Sequence, residues 1–203
     1  MRLRDRKKDA TRQAIRVAAL DLFEEHGYGP TTVDQISERA EVSPATFFRY
    51  FGSKEGVLFS DEDEAVDTMV ACVADRTDRG MTLAAMSEPV VAFAALNDDH
   101  SPEARRRMRI VMRTKELELR SMRVRRIWER AIAMQLAGES GESMPLLEHE
   151  LVAVHAVSCY VTALRRWPHR PRSTIARLTR EAFDATSDLA RLGAHGATGE
   201  VIR

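Results

Sequence analysis

Apolar residues along the 203-residue chain recur with the period of α-helices and not of β-strands. In residues 9–25 the apolar positions Ile15, Ala18 and Leu22 follow one another at intervals of three or four, with Ala19 and Phe23 beside them. Similar patterns, separated by glycine and proline, predict further helices over 33–40, 44–51, 54–78, 81–98, 102–113, 115–138, 145–167 and 172–191. Because no segment shows strand alternation between turn residues, we expect an all-α protein of about nine helices.

The segment 31–54 (TTVDQISERAEVSPATFFRYFGSK) carries the clearest boundary signals. Thr32 followed three residues later by Gln35 is a capping box, which predicts that a helix starts at Val33. Ser43 is a favourable N-cap and is followed by proline, which suits the first helical position. Gly52 tolerates the left-handed conformation that often ends a helix. Two short helices joined by a tight turn, behind a longer helix, form a helix-turn-helix pattern typical of DNA-binding proteins.

The second short helix has a divided surface. Phe47 and Phe51 are four residues apart, so they share a face that we expect to point inward. On the outer side, Arg49 has the length and donors to read guanine in a major groove, and Ala45 or Phe48 is suited to contact a thymine methyl group. A capped helical hairpin in an unrelated α-helical protein would show the same spacing, and this alternative stays open on spacing alone.

The run T-T-V-x-x-I-(6)-V-S-x-x-T-F-F-R-Y-F-x-S-K closely resembles the DNA-binding domain of the tetracycline-repressor (TetR) family of bacterial transcription regulators, over about the first 60 residues. The resemblance implies two sets of DNA contacts. Contacts to backbone phosphates are implied for Thr32, Ser43, Thr46, Tyr50 and Lys54, and contacts to base edges for Pro44, Ala45, Phe48 and Arg49. Position 48 is often tyrosine in the family, so Phe48 can only be an apolar contact here.

The expected domains follow the same resemblance. Residues 1–53 would form the DNA-binding domain, 54–192 a ligand-binding and dimerisation domain, and 193–203 a small, polar, flexible tail. Two adjacent amphipathic helices, about 145–167 and 172–191, would meet their copies in a four-helix bundle. The homodimer would then bind a pseudo-palindromic, double-stranded DNA operator. Without the resemblance, the same two helices could equally close the core of a monomer.

Composition narrows the choice of partners. The 31 basic and 31 acidic side chains cancel, so the chain has no overall basic character for coating nucleic acid. Residues 1–16 are nevertheless basic, with seven basic and two acidic side chains, and such an arm would lie along phosphates unless it is simply a frayed terminus. Two distant cysteines predict free thiols in a reducing cytoplasm. We expect no signal peptide, because the start is charged without an apolar run, and no membrane span.

The sequence offers no motif for catalysis, so we expect neither an enzyme nor a cofactor. His155 and Cys159 have metal-ligand spacing, but two ligands do not make a site and a packed dimer core explains them better. Methionine-rich helices could surround an adaptable apolar effector pocket or be ordinary core. The proposed pocket residues are Met69, Val73, Phe93, Met108, Met112, Trp128 and Cys159.

Arginine clusters in 101–130 and 165–180 suggest an amphipathic anion as the effector, such as a fatty acyl-CoA, and the regulatory half is similar to regulators of that type. Solvated helix faces in an arginine-rich protein explain these clusters at least as well. The interpretation is therefore a homodimeric, ligand-responsive transcriptional repressor. A DNA-binding protein without an effector and, with less support, a helical enzyme are the alternatives.

Overall fold

The structure is a computed structural model that describes residues 3–59, 62–98 and 101–196. Within these ranges the regular structure is entirely helical, as predicted. The α-helices are α1 (Leu3–His26), α2 (Val33–Arg39), α3 (Pro44–Phe51), α4 (Gly56–Phe59), α5 (Glu62–Ala74), α6 (Leu83–Leu96), α7 (Pro102–Arg113), α8 (Glu118–Glu139), α9 (Leu147–Arg166) and α10 (Ile175–Gly196). Short 3-10 helices at Lys115–Leu117 and Trp167–His169 precede α8 and follow α9. Among the described helices, none is both long and apolar enough to span a membrane.

Three predicted boundaries are wrong. The single helix expected over 54–78 is replaced by α4 and α5, because residues 54 and 55 lie in a turn and α5 ends at Ala74. The first helix begins at Leu3 and not near residue 9, so the basic segment is helical from that point. The last helix continues to Gly196, past the expected start of the tail, while residues 197–203 lie outside the described ranges.

Packing divides the chain into two compact units. The first unit contains the chain up to Glu62 together with α7 and the start of α8 up to Met122, and the second contains the rest. The division predicted from the sequence at 53/54 assigned α7 to the regulatory half, whereas α7 packs within the first unit. The functional boundary itself stays a prediction.

The core of the first unit joins the helix-turn-helix to α7. Its buried apolar side chains come from α1, α2, α3, α4, α7 and the 3-10 helix before α8, and include Ile15, Leu20, Phe23, Ile36, Phe47, Phe51, Val57, Ile110 and Leu117. Arg106 of α7 donates to Asp21 at 2.6 Å and to Glu24 at 2.8 Å, both on α1. The hydrogen bond that Arg106 donates to Glu24, and after it the one to Asp21, raise the pKa of Arg106. The arginine-rich helix α7 is thus held to α1 by apolar contacts and by ion pairs.

The second unit is built on mutual packing of α6, α9 and α10. The amide of Ile175, in the first turn of α10, donates to the Asp98 carboxylate at 3.1 Å, which satisfies one of the exposed donors of that helix end. At the end of α8, Glu139 accepts from the buried guanidinium of Arg76 at 3.0 Å and from the side-chain amide of Gln135 at 2.8 Å. These contacts connect the loop after α5 with the end of α8.

Candidate nucleic-acid interface

The capping box predicted at the start of α2 is present. The Thr32 hydroxyl oxygen accepts from the Gln35 amide at 3.2 Å, and the Gln35 side chain accepts from the Thr32 amide at 2.8 Å. The Thr32 hydroxyl also lies 3.2 Å from the Gln35 side-chain oxygen, to which it donates. Thr32 is exposed, so its hydroxyl can exchange this bond for one to a phosphate oxygen.

The cap of α3 leaves one hydroxyl proton available. Ser43 accepts from the Thr46 amide at 3.1 Å and donates its own proton to the Thr46 hydroxyl oxygen at 3.0 Å. Because Thr46 accepts this bond, its own proton can be donated outward. The predicted phosphate contacts of Ser43 and Thr46 are therefore adjacent to the positive end of the helix dipole, which favours an anion.

Helix α3 has the two faces predicted for it. Phe47 is fully buried and Phe51 nearly so, with ring centroids 6.0 Å apart. On the opposite side Phe48 keeps 51% of its surface exposed, and its ring meets Phe47 edge-on at 5.6 Å. The two inward rings fix the rotation of the helix, and that rotation decides which side chains face outward.

The other predicted contacts on α3 comprise three base contacts and the phosphate contact Tyr50. Pro44, Ala45 and Arg49 are exposed, and Tyr50 is partly exposed. The guanidinium carbon of Arg49 lies 5.5 Å from the centroid of the Tyr50 ring. Eight of the nine predicted contacts thus lie on α3 or at the caps of α2 and α3, on surfaces open to a partner.

The ninth, Lys54, is placed differently. Its ammonium donates to the backbone carbonyl oxygens of Tyr28 at 2.7 Å, Gly29 at 3.1 Å and Thr31 at 2.7 Å. It also lies 4.4 Å from the centroid of the Tyr28 ring. Burial lowers the pKa of Lys54, with an opposing contribution from Glu116. The predicted phosphate contact of Lys54 therefore competes with an internal role that the sequence pattern did not show.

The residues proposed for an effector pocket are divided between the two units. Met69, Val73, Phe93, Trp128 and Cys159 are buried in the second unit, whereas Met108 and Met112 lie on α7 in the first. The Met112 side chain keeps 37% of its surface exposed. The pocket itself stays a prediction.

A buried aromatic cluster in the second unit includes a residue that sequence reasoning missed. Phe93, Trp128 and Tyr160 come from α6, α8 and α9, with ring centroids 5.1–6.0 Å apart. The Trp128 indole N–H is buried and finds no acceptor in the described part of the chain. Buried donors are nearly always satisfied, so this one marks a place where another molecule could supply an acceptor. Tyr160 follows Cys159 directly, and only the helix rotation distinguishes it from its neighbours.

Several arginines of the two clusters form ion pairs within their own unit. Arg106 pairs with α1, Arg120 with Glu62, and Arg125 with Glu129. This arrangement supports the interpretation of the clusters as packed or solvated helix faces. Within the described ranges, the structure holds no group of three metal-ligating side chains, and the His155 imidazole bonds the Leu151 carbonyl.

The outer faces of α9 and α10 are apolar and exposed. Leu147, Leu151, Val154 and Leu189 keep between 36% and 69% of their surface exposed. Between the two helices lies a groove of about 250 Å³, lined among others by Ser158, Cys159, Ala182, Ala185 and Leu189. Cys159, one of the residues that line this groove, is buried, and burial raises the pKa of its thiol against the opposing effect of the hydrogen bond with Thr186.

Comparisons with known proteins match both ends of the chain. Residues 15–60 match the family described as bacterial regulatory proteins, tetR family, and residues 80–189, more than half of the chain, match the MftR C-terminal domain. The chain is 25% identical over 179 residues to MftR of Mycobacterium tuberculosis, by its name a candidate transcriptional regulator of mycofactocin biosynthesis, with 88% of this chain and 90% of MftR covered. It is 28% identical to the transcriptional regulator HbdR of an Aromatoleum strain, with 85% and 77% covered.

Solved structures agree on the fold. The structure of SmeT in complex with triclosan superposes with a TM-score of 0.61 at 19% identity, covering 87% of this chain and 90% of SmeT. NalD of Pseudomonas aeruginosa, the secondary repressor of the MexAB-OprM efflux pump, gives a TM-score of 0.56 at 16% identity, with 89% and 95% covered. At these identities the likeness shows the fold alone.

Proposed function

Because the chain belongs to the TetR family of bacterial regulatory proteins, we propose that this DNA-binding transcriptional regulator is a repressor that binds a pseudo-palindromic operator as a homodimer and responds to a small-molecule effector. The observation that carries the DNA-binding part is the geometry of α3. Its inward face is fixed by Phe47 and Phe51, and its outward face presents Arg49 and Phe48 between capped helix ends. Such a helix suits the major groove, with base contacts from its exposed side chains.

Each outward residue has a proposed role. Arg49 reads guanine, while Pro44, Ala45 and Phe48 contact base edges, including thymine methyl groups. Thr32, Ser43, Thr46 and Tyr50 position the helix by contacts to phosphate. The exposed basic residues at the start of α1, Arg6, Lys7 and Lys8, add phosphate contacts in a protein without net charge.

The homodimer would use the exposed apolar faces of α9 and α10. These faces leave several leucine and valine side chains in water, and pairing two copies would remove them from it. A two-fold dimer places two recognition helices about one DNA turn apart or slightly more, which is why we expect the operator to be pseudo-palindromic.

We propose that the effector binds next to the aromatic cluster of Phe93, Trp128 and Tyr160. The buried Trp128 N–H would be satisfied by a ligand that brings a hydrogen-bond acceptor into these otherwise apolar surroundings. The effector would shift the population from the operator-binding arrangement to one with a different spacing of the recognition helices. It can do so only by its difference in affinity for the two arrangements. Amphipathic anions such as acyl-CoAs are one class to test, since Arg123, Arg126 and Arg130 on α8 are exposed.

The test is binding of the protein to the DNA flanking its own gene, measured at several salt concentrations. We expect site-specific binding with a Kd of about 10⁻⁸–10⁻¹¹ M and a steep loss with salt. Arg49→Ala should weaken binding by about 1–3 kcal/mol and relax specificity at one base pair. Arg113→Ala removes an exposed arginine of α7 and is the matched control, expected to leave binding unchanged. Equal affinity of wild-type protein and Arg49→Ala would contradict the assignment of α3 as the base-reading helix.

Effector response is tested by repeating the measurement with candidate ligands, acyl-CoAs among them. Trp128→Phe keeps an aromatic ring but removes the indole donor, so an effector that bonds this donor should lose affinity about tenfold. Trp167→Phe makes the same change at a second buried tryptophan and should not alter effector affinity. If no class of ligand changes the affinity for the operator, the result would favour the alternative of a repressor without an effector.

A further inference from the structure

Lys54 occupies the turn between α3 and α4, directly behind the recognition helix. Gly52 ends α3 with a positive φ of 67°, and the Ser53 hydroxyl accepts from the Gly56 amide at 2.9 Å at the start of α4. These two local features direct the chain into a tight turn at Lys54. Its side chain then reaches back by more than twenty positions in sequence to the loop between α1 and α2.

That loop presents three carbonyl oxygens to one point. Gly27 ends α1 with a φ of 86°, and the buried Thr31 hydroxyl lies within hydrogen-bond distance of the Leu22 and Gly27 carbonyls. The loop is folded tightly enough that the carbonyls of Tyr28, Gly29 and Thr31 converge on the Lys54 ammonium, at 2.7, 3.1 and 2.7 Å.

The donors and acceptors match in number. A lysine ammonium has three N–H donors, and each has a carbonyl oxygen within hydrogen-bond distance. The Tyr28 ring adds a cation–π contact at 4.4 Å. To bind a phosphate, Lys54 would have to give up at least one of these charge-assisted hydrogen bonds.

A carboxylate from another part of the first unit completes this arrangement. Glu116, in the 3-10 helix before α8, lies close enough to Gly29 that a Cβ at that position would sit 3.0 Å from its side-chain oxygen. Glu116 favours the charged form of Lys54 and opposes the effect of burial on its pKa. Burial, with Glu55 and Glu116, also raises the pKa of Tyr28 to about 12, so the ring stays neutral beneath the ammonium.

We propose that Lys54 is a positioning residue, whose ammonium fastens the loop between α1 and α2 to the end of the recognition helix and so sets the orientation of both helices on DNA without itself binding a phosphate. This proposal rests on the proposed DNA-binding function. Thr31 is one of its acceptors and precedes Thr32, the N-cap of α2, while Lys54 follows α3 by two residues. One side chain therefore fixes one end of each helix in the helix-turn-helix.

A phosphate contact and a positioning residue predict different behaviour of Lys54→Met. This variant keeps the aliphatic part of the side chain but removes its charge and its hydrogen-bond donors. A phosphate contact contributes equally to every DNA sequence and steepens the salt dependence. A positioning residue contributes to specific binding, because only the operator requires a defined helix orientation. We expect Lys54→Met to lose about tenfold or more in operator affinity, to lose less than about twofold on a random duplex, and to keep the wild-type salt slope.

Equal losses on operator and random duplex, with a salt slope lowered by about 0.9 for each protomer, would overturn the proposal. Lys115→Met is the matched control. It removes an exposed lysine of the first unit that lies outside this set of contacts, and it should leave affinity and slope unchanged. The unfolding temperature of each variant is determined by circular dichroism, and all binding measurements are made well below it.

Lys54→Arg keeps the proposal testable if the methionine variant folds poorly. Arginine retains the charge for a phosphate but spreads its donors in a planar fork that cannot converge on three carbonyls around one nitrogen. We expect it to show the same selective loss of operator affinity as Lys54→Met. Wild-type affinity in Lys54→Arg would refute the positioning role.

Hydrogen exchange of the free protein separates this proposal from the proposed function. Amides in residues 31–36 should exchange faster in Lys54→Met than in wild type, and no faster in Lys115→Met. Unchanged exchange in Lys54→Met would refute the fastening of the loop whatever the DNA result. Wild-type protein that binds no DNA specifically would refute the proposed function, while the exchange result would still decide whether Lys54 holds the loop.

Discussion

The turn between α2 and α3 holds a glutamate in a conformation that glycine normally adopts. Glu41 has a φ of 53°. Around it, the Val42 amide donates to the Ser37 carbonyl at 2.9 Å and the Glu41 amide to the Glu38 carbonyl at 3.1 Å, the two bonds of a Schellman motif. The motif places residue 41 in the left-handed region, where a side chain with a Cβ is strained.

Glu41→Gly should therefore stabilise the protein. A left-handed non-glycine residue costs about 1–2 kcal/mol, and glycine gives back about 0.4–1 kcal/mol through the greater freedom of the unfolded chain. The expected net gain in the free energy of unfolding is about 0.5–1 kcal/mol, which corresponds to a rise in Tm of roughly 2 °C for a chain of this length. Urea denaturation followed by far-ultraviolet circular dichroism measures it.

Two controls isolate the backbone effect from the loss of a carboxylate. Glu41→Ala removes the charge but keeps the Cβ, so it should stay within about 0.5 kcal/mol of wild type. Glu38→Gly removes another exposed glutamate, three residues earlier and inside α2, where glycine should lower stability by about 1 kcal/mol. A Glu41→Gly protein no more stable than Glu41→Ala would refute the reasoning from backbone strain.

Three further predictions concern the caps, the second unit and the dimer. Thr32→Ala removes the capping hydroxyl of α2 and should lower the free energy of unfolding by about 1 kcal/mol in urea denaturation. Burial would raise the pKa of Glu139, but hydrogen bonds led by that from Arg76 outweigh it and the net pKa is lowered. The stability that this carboxylate adds should thus be present above about pH 4.5 and be lost as the pH falls further. In urea denaturation, the midpoint of Glu139→Gln should therefore decline less over that acid range than the midpoint of the wild-type protein. Leu151→Glu should shift the protein toward monomer in sedimentation velocity, whereas Leu119→Glu, at a leucine of α8 that is more exposed (78% against 48% for Leu151), should not.

The sequence predicted the helix-turn-helix closely because its determinants are local. The caps at Thr32 and Ser43, the inward pair Phe47 and Phe51, and the stop at Gly52 each depend on residues within four positions, and all are present in the structure. Helix propensity, capping and side-chain spacing act over this same range. The outward face of α3 follows directly, because fixing the inward face of a short helix fixes the other.

The assignment of α7 depended on contacts that no local pattern reveals. Its arginine-rich sequence was compatible with an anion-binding surface and with a solvated helix face, whereas in the structure Arg106 pairs with Asp21 and Glu24, which are more than eighty positions away. Helical periodicity likewise placed Met108 and Met112 on an apolar face, but it does not show which neighbours cover that face, and both lie in the first unit.

Lys54 shows where a family resemblance stops being informative. A resemblance shows only that the same type of residue occupies the same position. A lysine at position 54 can bind a phosphate, because its ammonium is a compact charge on a flexible side chain. In this structure the Lys54 ammonium binds three backbone carbonyl oxygens, at positions 28, 29 and 31. Any residues at these positions that allow the same loop would present the same oxygens, so the sequence pattern does not reveal the contact. What restricts the loop is instead the φ of 86° at Gly27 and the narrow space beside Gly29 that Glu116 occupies. A lysine at this position should therefore act as a positioning residue wherever the loop has this geometry, and as a phosphate ligand only where it does not.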